Sequence, residues 1–272
     1  MAEPRQNEAD PIACRTIITA EEFLSDFAQP NKPVLLKGYM QNWPAFNKWS
    51  WDFFATAYGN ALLTVSSSRD KKNISFQDFV AYCKVSTDTD PYYLRDWALE
   101  DQAPELFKDY ETPPFFLSWT DFLPAEIKPR LKWLYVGPKG SGSPLHTDIW
   151  DTSAWNGVFV GKKLWHFFPL DQLDFLYELK VDTFNPDYGK YPLLKKVTPI
   201  RCIQNPGDIV FTPSGWIHQV YNLEAGISLT ENFVNKTNID LVREIFVQNN
   251  ELTLLKYLDT LQAYVSKNNI PI

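Results

Sequence analysis

The feature of the sequence that most constrains the fold is a series of short apolar segments between residues 131 and 233. The segments are rich in β-branched and aromatic residues, and glycine or proline marks most of the turns between them. Many short strands separated by turns predict a mainly β fold, either a sandwich, a jelly roll or a barrel. We expect strands at residues 131–136, around His146, and at residues 154–160, 163–168, 201–203, 208–212, 216–222 and 226–233.

The chain on either side of this series predicts helices. Thr19 and Glu22 have the spacing of a capping box, while Ser50 and Ser75 each precede apolar residues at helical spacing. After residue 237, apolar residues recur every three or four positions, which indicates one or two amphipathic helices. Residues 171–180 predict a helical insertion and residues 181–194 an irregular loop. We therefore divide the chain into a flexible tail (1–15), N-terminal helices and strands that pack on the barrel (16–130), the β core (131–236) and C-terminal helices (237–272).

Composition and charge argue against several classes of protein. The net charge is −7, from 26 basic and 33 acidic residues, so we expect no direct nucleic-acid binding. No apolar run approaches the roughly 20 residues of a membrane span, and residues 1–15 lack the pattern of a secretory signal. The loop at residues 137–142 lacks the Gly-Lys-Ser/Thr ending of a phosphate-binding P-loop. Cys14, Cys83 and Cys202 are widely spaced and indicate reduced thiols, so we expect a cytoplasmic protein, with the nucleus as the alternative.

The strand around His146 carries the first candidate site. His146 and Asp148 are two positions apart, and side chains with that spacing point to the same face of a strand. An imidazole and a carboxylate are two of the three ligands in a 2-His-1-carboxylate iron site. The alternative is a buried histidine that hydrogen-bonds a nearby carboxylate.

A second motif offers the third ligand. Pro213 and Gly215 set the entry to a strand on which His218 shares a face with Trp216 and Val220. An aromatic side chain beside a ligating histidine limits access of solvent to the metal. The alternative is a core histidine packed among aromatic residues. Fe(II) fits these ligands better than zinc, which favours closed tetrahedral sites, often with cysteine, and no cysteine is near either motif.

A candidate anchor for an anionic ligand follows Gly161. Strand alternation places Lys163, Trp165 and Phe167 on one face, and a lysine between aromatic residues there requires a partner, such as a ligand carboxylate. The alternative is that Lys163 faces solvent together with Lys162. His166 falls on the opposite face, where we expect a structural role.

The residues from Trp133 to Asn235 resemble the Jumonji-C oxygenases, and in particular their hydroxylase group. The matching motifs include Gly161-x-Lys163 and Phe211-x-Pro-Ser-Gly-Trp-x-His218-Gln-Val-x-Asn-Leu223, and the segment at residues 33–45 also resembles the region before the barrel in these proteins. The resemblance implies a double-stranded β-helix, which is a jelly roll of the cupin type, with flanking helices.

The resemblance also implies cofactors and site residues. The family uses Fe(II), the cosubstrate 2-oxoglutarate and O2. By similarity, His146, Asp148 and His218 are the catalytic iron ligands, and Lys163 pairs with the distal carboxylate of 2-oxoglutarate. Further residues expected at the cosubstrate are Asn156, Thr230, Tyr93, Ser143 and Asn232.

The implied activity is hydroxylation of a protein side chain. Within the group, the chain resembles lysyl hydroxylases that act on a translation termination factor, so a lysine of such a factor is the expected substrate. Two alternatives remain open, a demethylase of N-methyl-lysine or N-methyl-arginine with the same fold and a non-catalytic cupin that binds metal. The C-terminal helices either form a homodimer interface or cover the barrel, and we expect no membrane partner.

Overall fold

The computed structural model of the protein describes residues 10–270, with only the backbone of Asp96. None of the helices in this part of the chain has the length and apolarity that a bilayer crossing requires. Twelve strands are present in the described part: β1 (Asp10–Pro11), β2 (Ala13–Arg15), β3 (Val34–Leu36), β4 (Leu62–Ser66), β5 (Lys71–Ser75), β6 (Leu94–Ala98), β7 (Lys132–Gly137), β8 (Gly142–His146), β9 (Ser153–Phe168), β10 (Ile200–Gln204), β11 (Ile209–Thr212) and β12 (Ile217–Phe233).

The α-helices form two groups along the sequence, one among the N-terminal strands and one after the last strand. The capping box of Thr19 and Glu22 is confirmed, and so are the N-caps Ser50 and Ser75. The predicted insertion is 3₁₀-helical between Leu170 and Leu179, with an interruption at Tyr177 and Glu178, where φ is +50° and +52°. The α-helices are α1 (Ala20–Phe23), α2 (Pro44–Lys48), α3 (Trp51–Ala57), α4 (Phe76–Val85), α5 (Leu99–Gln102), α6 (Ile239–Gln248) and α7 (Leu252–Lys267).

Two long strands, β9 and β12, pair antiparallel along their whole length and form the centre of a ten-stranded sheet. The first half of β9 also pairs with β11 and its second half with β10. In the same way β12 pairs with β8 and then with β7. Since each long strand contributes to two parts of the sheet, the arrangement is the predicted jelly roll.

The bend that divides the long strands is at Gly161. Its φ is +80°, and a Cβ atom there would lie 2.3 Å from the carbonyl oxygen of Ala225, so the position requires glycine. Register shifts in β12 between Asn222 and Ile227 lie opposite this bend. The sequence predicts a separate strand on each side of each bend. In the structure, β9 and β12 each continue through their bend as one strand.

Residues 10–15 of the predicted flexible tail form two short strands, while residues 1–9 lie outside the described part of the chain. β1 pairs in parallel with β10, and β2 pairs in parallel with β3. These strands are short and exposed, so no apolar alternation in the sequence marks them. Their stabilisation comes from backbone hydrogen bonds to strands distant in sequence.

The N-terminal region packs on one face of the sheet through aromatic side chains. Trp49 contacts Phe159 of β9 with ring centroids 4.5 Å apart, and Phe116 stacks on Trp155 at 6.1 Å. Full burial of one such side chain stabilises the fold by about 2–3 kcal/mol. This packing holds β9 from the outside while its other face lines the cavity.

The C-terminal helices α6 and α7 pack against the barrel. Their buried residues join Trp119, Leu123 and Val234 in one apolar cluster. This packing agrees with the second alternative from the sequence, in which the helices cover the barrel. Val247 and Leu252 remain 61% exposed.

Candidate metal centre and cosubstrate cavity

Three side chains able to bind a metal converge inside the barrel. His146 ends β8, Asp148 follows in an extended conformation, and His218 is the second residue of β12. His146 and His218 are cross-strand neighbours with ring centroids 4.2 Å apart. One ligand atom from each of the three residues lies within 4.8 Å of the others. The structure therefore brings the three predicted iron ligands together, although β8 ends two residues before Asp148.

Both imidazoles are oriented for metal binding. Nδ1 of His146 is 2.7 Å from the carbonyl oxygen of Pro144, and Nδ1 of His218 is 3.1 Å from that of Trp216. A carbonyl can only accept, so each Nδ1 carries the proton and each Nε2 presents a lone pair. Burial lowers the pKa of both imidazoles to about 4, so both are neutral at pH 7.

The carboxylate completes a donor set that fits Fe(II). Oδ2 of Asp148 is buried without a hydrogen-bond partner among the described residues, and it lies 4.0 Å from Nε2 of His218. Burial raises the pKa of Asp148, and a hydrogen bond from Asn232 opposes that shift. An unpartnered buried carboxylate oxygen is costly, and a cation beside the two imidazoles would satisfy it. Two nitrogens and one oxygen on one side of an ion leave positions open for other ligands.

Lys163 lies at the other end of the cavity. Its side chain is 4% exposed, and its ammonium donates to the hydroxyl of Tyr93 at 2.9 Å and to Oδ1 of Asn222 at 3.0 Å. No carboxylate of the described residues forms an ion pair with it, and burial lowers the pKa of the ammonium to about 7. Lys163 therefore faces inward, and no carboxylate of the described residues balances its positive charge.

Asn222 is a residue of this site that the sequence reasoning missed. It lies directly across the ladder from Lys163 and donates from Nδ2 to Oγ of Ser141 at 2.8 Å. That hydroxyl donates in turn to the carbonyl of Pro138 at 2.7 Å, which fixes the amide so that its oxygen faces the ammonium. The signal was present in the sequence, since residues 218, 220 and 222 share one strand face.

One cavity is lined both by the three candidate metal ligands and by Lys163. Asn156 and Thr230 are cross-strand partners within it, and the amide of Asn156 donates to Thr230 Oγ1 at 2.9 Å. Oδ1 of Asn156 has no hydrogen-bond partner among the described residues. Asn232 is not among the residues that line this cavity, and its amide donates to Thr152 Oγ1 at 3.1 Å and to the candidate ligand Asp148. The other lining residues are Tyr93, Tyr135, Ser143, Ala154, Trp155, Trp165, Thr212 and Val220.

His166 lies outside the cavity, as the alternation predicts. Its Nδ1 is 3.1 Å from Thr183 Oγ1, and its ring packs against Phe184 with centroids 4.4 Å apart. The third histidine of the chain is therefore a buried residue on the opposite face of β9.

The fold and this cavity define a jelly roll of the cupin class with a candidate metal centre at one end and a buried lysine at the other. Residues 19–239 match the family described as "Cupin-like domain", and the chain belongs to this family. The resemblance to the Jumonji-C oxygenases and the fold class are both confirmed.

Three curated relatives illustrate the similarity. The chain is 37% identical over 243 residues to "Lysine-specific demethylase JMJ21" of Arabidopsis thaliana, covering 84% of this chain and 26% of that protein. It is 31% identical over 255 residues to "2-oxoglutarate and iron-dependent oxygenase JMJD4" of Gallus gallus, covering 82% and 60%. It is 30% identical over 246 residues to "Bifunctional arginine demethylase and lysyl-hydroxylase psr-1" of Caenorhabditis elegans, covering 83% and 61%. The chain thus spans between 26% and 61% of the length of these three relatives.

Proposed function

We propose that the chain is an Fe(II)- and 2-oxoglutarate-dependent dioxygenase that hydroxylates a side chain of a protein substrate. The observation that carries the proposal is the convergence of His146, Asp148 and His218 on one point, with an unpartnered carboxylate oxygen among them. The names of relatives, which include an iron-dependent oxygenase and a lysyl-hydroxylase, support the same activity.

Each end of the cavity has a separate role in this proposal. The two imidazoles and the carboxylate would hold Fe(II), while Lys163 and the hydroxyl of Tyr93 would bind the distal carboxylate of 2-oxoglutarate. The bound Fe(II) and cosubstrate supply oxidative chemistry, in which O2 gives one oxygen atom to succinate and one to a substrate C–H bond, with release of CO2. Trp165 has its ring centroid 5.8 Å from that of His218 and limits the access of water.

The test combines a binding signal with a product. Anaerobic addition of Fe(II) and 2-oxoglutarate to the purified protein should give the visible absorption band of an iron–2-oxo-acid chelate, and His146→Ala should remove it. Admission of O2 with lysine-containing peptides should then give succinate in amounts that match hydroxylated peptide. Absence of both the band and succinate in the parent protein would contradict the proposal.

A demethylase is the second candidate, because two of the relatives above carry that activity in their names. Hydroxylation of an N-methyl group would release formaldehyde from the same cavity. Mass spectrometry of the product distinguishes the two, since hydroxylation adds an oxygen atom and demethylation removes a methyl group. A third candidate, a non-catalytic cupin, predicts that Lys163→Ala leaves function unchanged.

We propose a lysine of a translation termination factor as the first substrate to test, on the basis of the sequence resemblance. Incubation of the factor with the active protein should add one oxygen atom to a single lysine, detected by peptide mass spectrometry. A homodimer is a separate proposal, for which the exposed Val247 and Leu252 on α6 and α7 are the contacts to test by sedimentation.

A further inference from the structure

An open groove lies beside the metal centre. It shares Tyr135, Ser143 and His146 with the inner cavity, so it adjoins the metal ligands directly. Its outer wall is the turn of the β4–β5 hairpin, residues 66–71, and Arg95 of β6. We call it the entrance groove.

The entrance groove is basic although the protein is acidic. Among the described residues, its lining includes Arg69, Lys71 and Arg95 and a single carboxylate, Asp70, whereas the net charge of the chain is −7. Both oxygens of Asp70 already accept hydrogen bonds, Oδ1 from Ser67 of the same turn at 3.1 Å and Oδ2 from Tyr92, outside the turn, at 3.0 Å. The local charge therefore favours a ligand with carboxylate groups.

Arg95 is the partly buried cation of this groove, whereas Arg69 and Lys71 are exposed. Its side chain donates one hydrogen bond to the described residues, from Nη2 to Ser66 Oγ at 2.9 Å. Among the described residues, no carboxylate lies within ion-pair distance of its guanidinium. Arg69 differs, because its side chain is 82% exposed and lies 3.6 Å from Asp90. A guanidinium presents several N–H groups in a fork that matches a carboxylate, and one contact leaves most of them available.

Arg95 lines a groove that adjoins the inner cavity. It lies two residues after Tyr93 on the chain that forms β6, and the Tyr93 hydroxyl contacts Lys163 inside the cavity. The hairpin turn opposite is held in place, because the backbone of Ser66 pairs with Tyr93 and Ser68 donates to Asp90 at 2.7 Å. The groove is thus a formed surface on ordered elements.

We propose that Arg95 is a specificity-determining residue, which binds the carboxylate of an aspartate or glutamate close to the target residue of a protein substrate. The proposal rests on the proposed function and defines its substrate class as an acidic segment of polypeptide. A nucleic acid is disfavoured by the net charge of −7, since such a ligand requires a basic footprint that extends well beyond one groove.

The test measures binding without turnover. Three fluorescein-labelled lysine-centred peptides, built otherwise from glycine and serine, carry glutamate, glutamine or lysine on both sides of the target. Fluorescence anisotropy gives a Kd for each with the parent protein at two salt concentrations. We expect the glutamate peptide to bind about fivefold more tightly than the glutamine peptide, and the preference to fall at high salt.

Variants assign the preference to one side chain. Arg95→Gln should bring the two affinities together, Arg95→Glu should favour the lysine-flanked peptide, and Arg95→Lys should retain part of the preference for glutamate. Arg130→Gln is the matched control, because it removes an arginine that pairs with Asp101 outside the groove. Circular dichroism of each variant shows that it is folded.

The outcomes separate this proposal from the proposed function. Equal affinities for the three peptides, no binding of any of them, or a stronger competition by single-stranded RNA would each overturn the role of Arg95. If these results came with an intact iron–2-oxo-acid band, the oxygenase proposal would stand. If the peptide preference held while both the band and succinate were absent, the oxygenase proposal would fail.

Discussion

The two ends of the inner cavity carry opposite charges, and within the described residues neither charge is balanced. The metal end carries a carboxylate and the anchor end an ammonium. At the metal end, Asp148 has a buried carboxylate oxygen without a hydrogen bond among the described residues, next to two neutral imidazoles. At the anchor end, the ammonium of Lys163 has two hydrogen bonds and no carboxylate partner in the same part of the chain. The first end is therefore completed by a cation and the second by an anion.

This difference explains why one small molecule can serve both ends. A dicarboxylate with a 2-oxo group can chelate a metal through one end and pair with an ammonium through the other. One strand, β12, contributes to both ends, since it holds His218 at the metal end and Asn222 opposite Lys163 of β9 at the anchor end. Regular backbone pairing therefore fixes the separation of the two ends, which is more precise than placement on loops.

The largest expected effect comes from removal of the negative charge at the metal end. Asp148→Asn keeps the shape of the side chain but removes the charge, so Fe(II) affinity should fall by at least about 100-fold, beyond the range for outer-shell changes. Anaerobic competition titration against a chelator measures the loss. His166→Gln is the control, because this histidine lies outside the cavity, and a comparable loss there would show that the metal binds elsewhere.

The next effect concerns the anchor end. Lys163→Met removes a charge-assisted contact worth about 2 kcal/mol, so 2-oxoglutarate affinity should fall about 30-fold while Fe(II) affinity stays the same. Titration of the chelate band with 2-oxoglutarate gives both values. Lys162→Met is a matched control, since the neighbouring Lys162 points outward and pairs with Glu224 at 2.8 Å. If the two variants weakened binding equally, Lys163 would not be the anchor.

The comparison also predicts a pH dependence at the anchor end. Burial lowers the pKa of Lys163 to about 7, so in the free protein the ammonium loses its proton as the pH rises above that value. Because the dianion binds the protonated form, the Kd of 2-oxoglutarate should be constant below pH 7 and rise by up to about tenfold per pH unit above it. The rise stops at the higher pKa that the lysine has in the complex.

The measurement is the Kd of 2-oxoglutarate between pH 6 and pH 9 for the parent protein and Lys163→Arg. The arginine stays charged over this range, so its slope should be flat. Parallel slopes in the two proteins would assign the pH dependence to another group.

The sequence was informative wherever one strand face carries the chemistry. His218 and Lys163 each follow a turn with glycine and alternate with aromatic residues, so their direction is readable from the pattern. The placement of the β4–β5 hairpin beside His146 was not readable, because it depends on the pairing of Ser66 with Tyr93 across a separate part of the chain. Pairing distant in sequence also explains why residues 10–15 were assigned to a tail.

Asn232 shows a subtler limit of the pattern. It lies two positions after Thr230 on β12, so alternation puts both side chains on one face. Thr230 lines the cavity, whereas the amide of Asn232 turns to Asp148 and Thr152. A shared face therefore predicts the direction of a side chain, but the neighbours at each position decide its contact.

The smallest expected effect separates positioning from binding at the anchor end. Asn222→Ala removes the acceptor at 3.0 Å from the ammonium and leaves Lys163 with the Tyr93 hydroxyl. The ammonium should lose its fixed direction, and 2-oxoglutarate affinity should fall about fivefold, which corresponds to one hydrogen bond of about 1 kcal/mol. Gln219→Ala is the control on the same strand, because its buried amide bonds Thr183 and Asp182 on the outer face. The chelate titration should detect a weaker Kd for Asn222→Ala alone, and an equal loss in both variants would mean that general destabilisation of β12 is the cause.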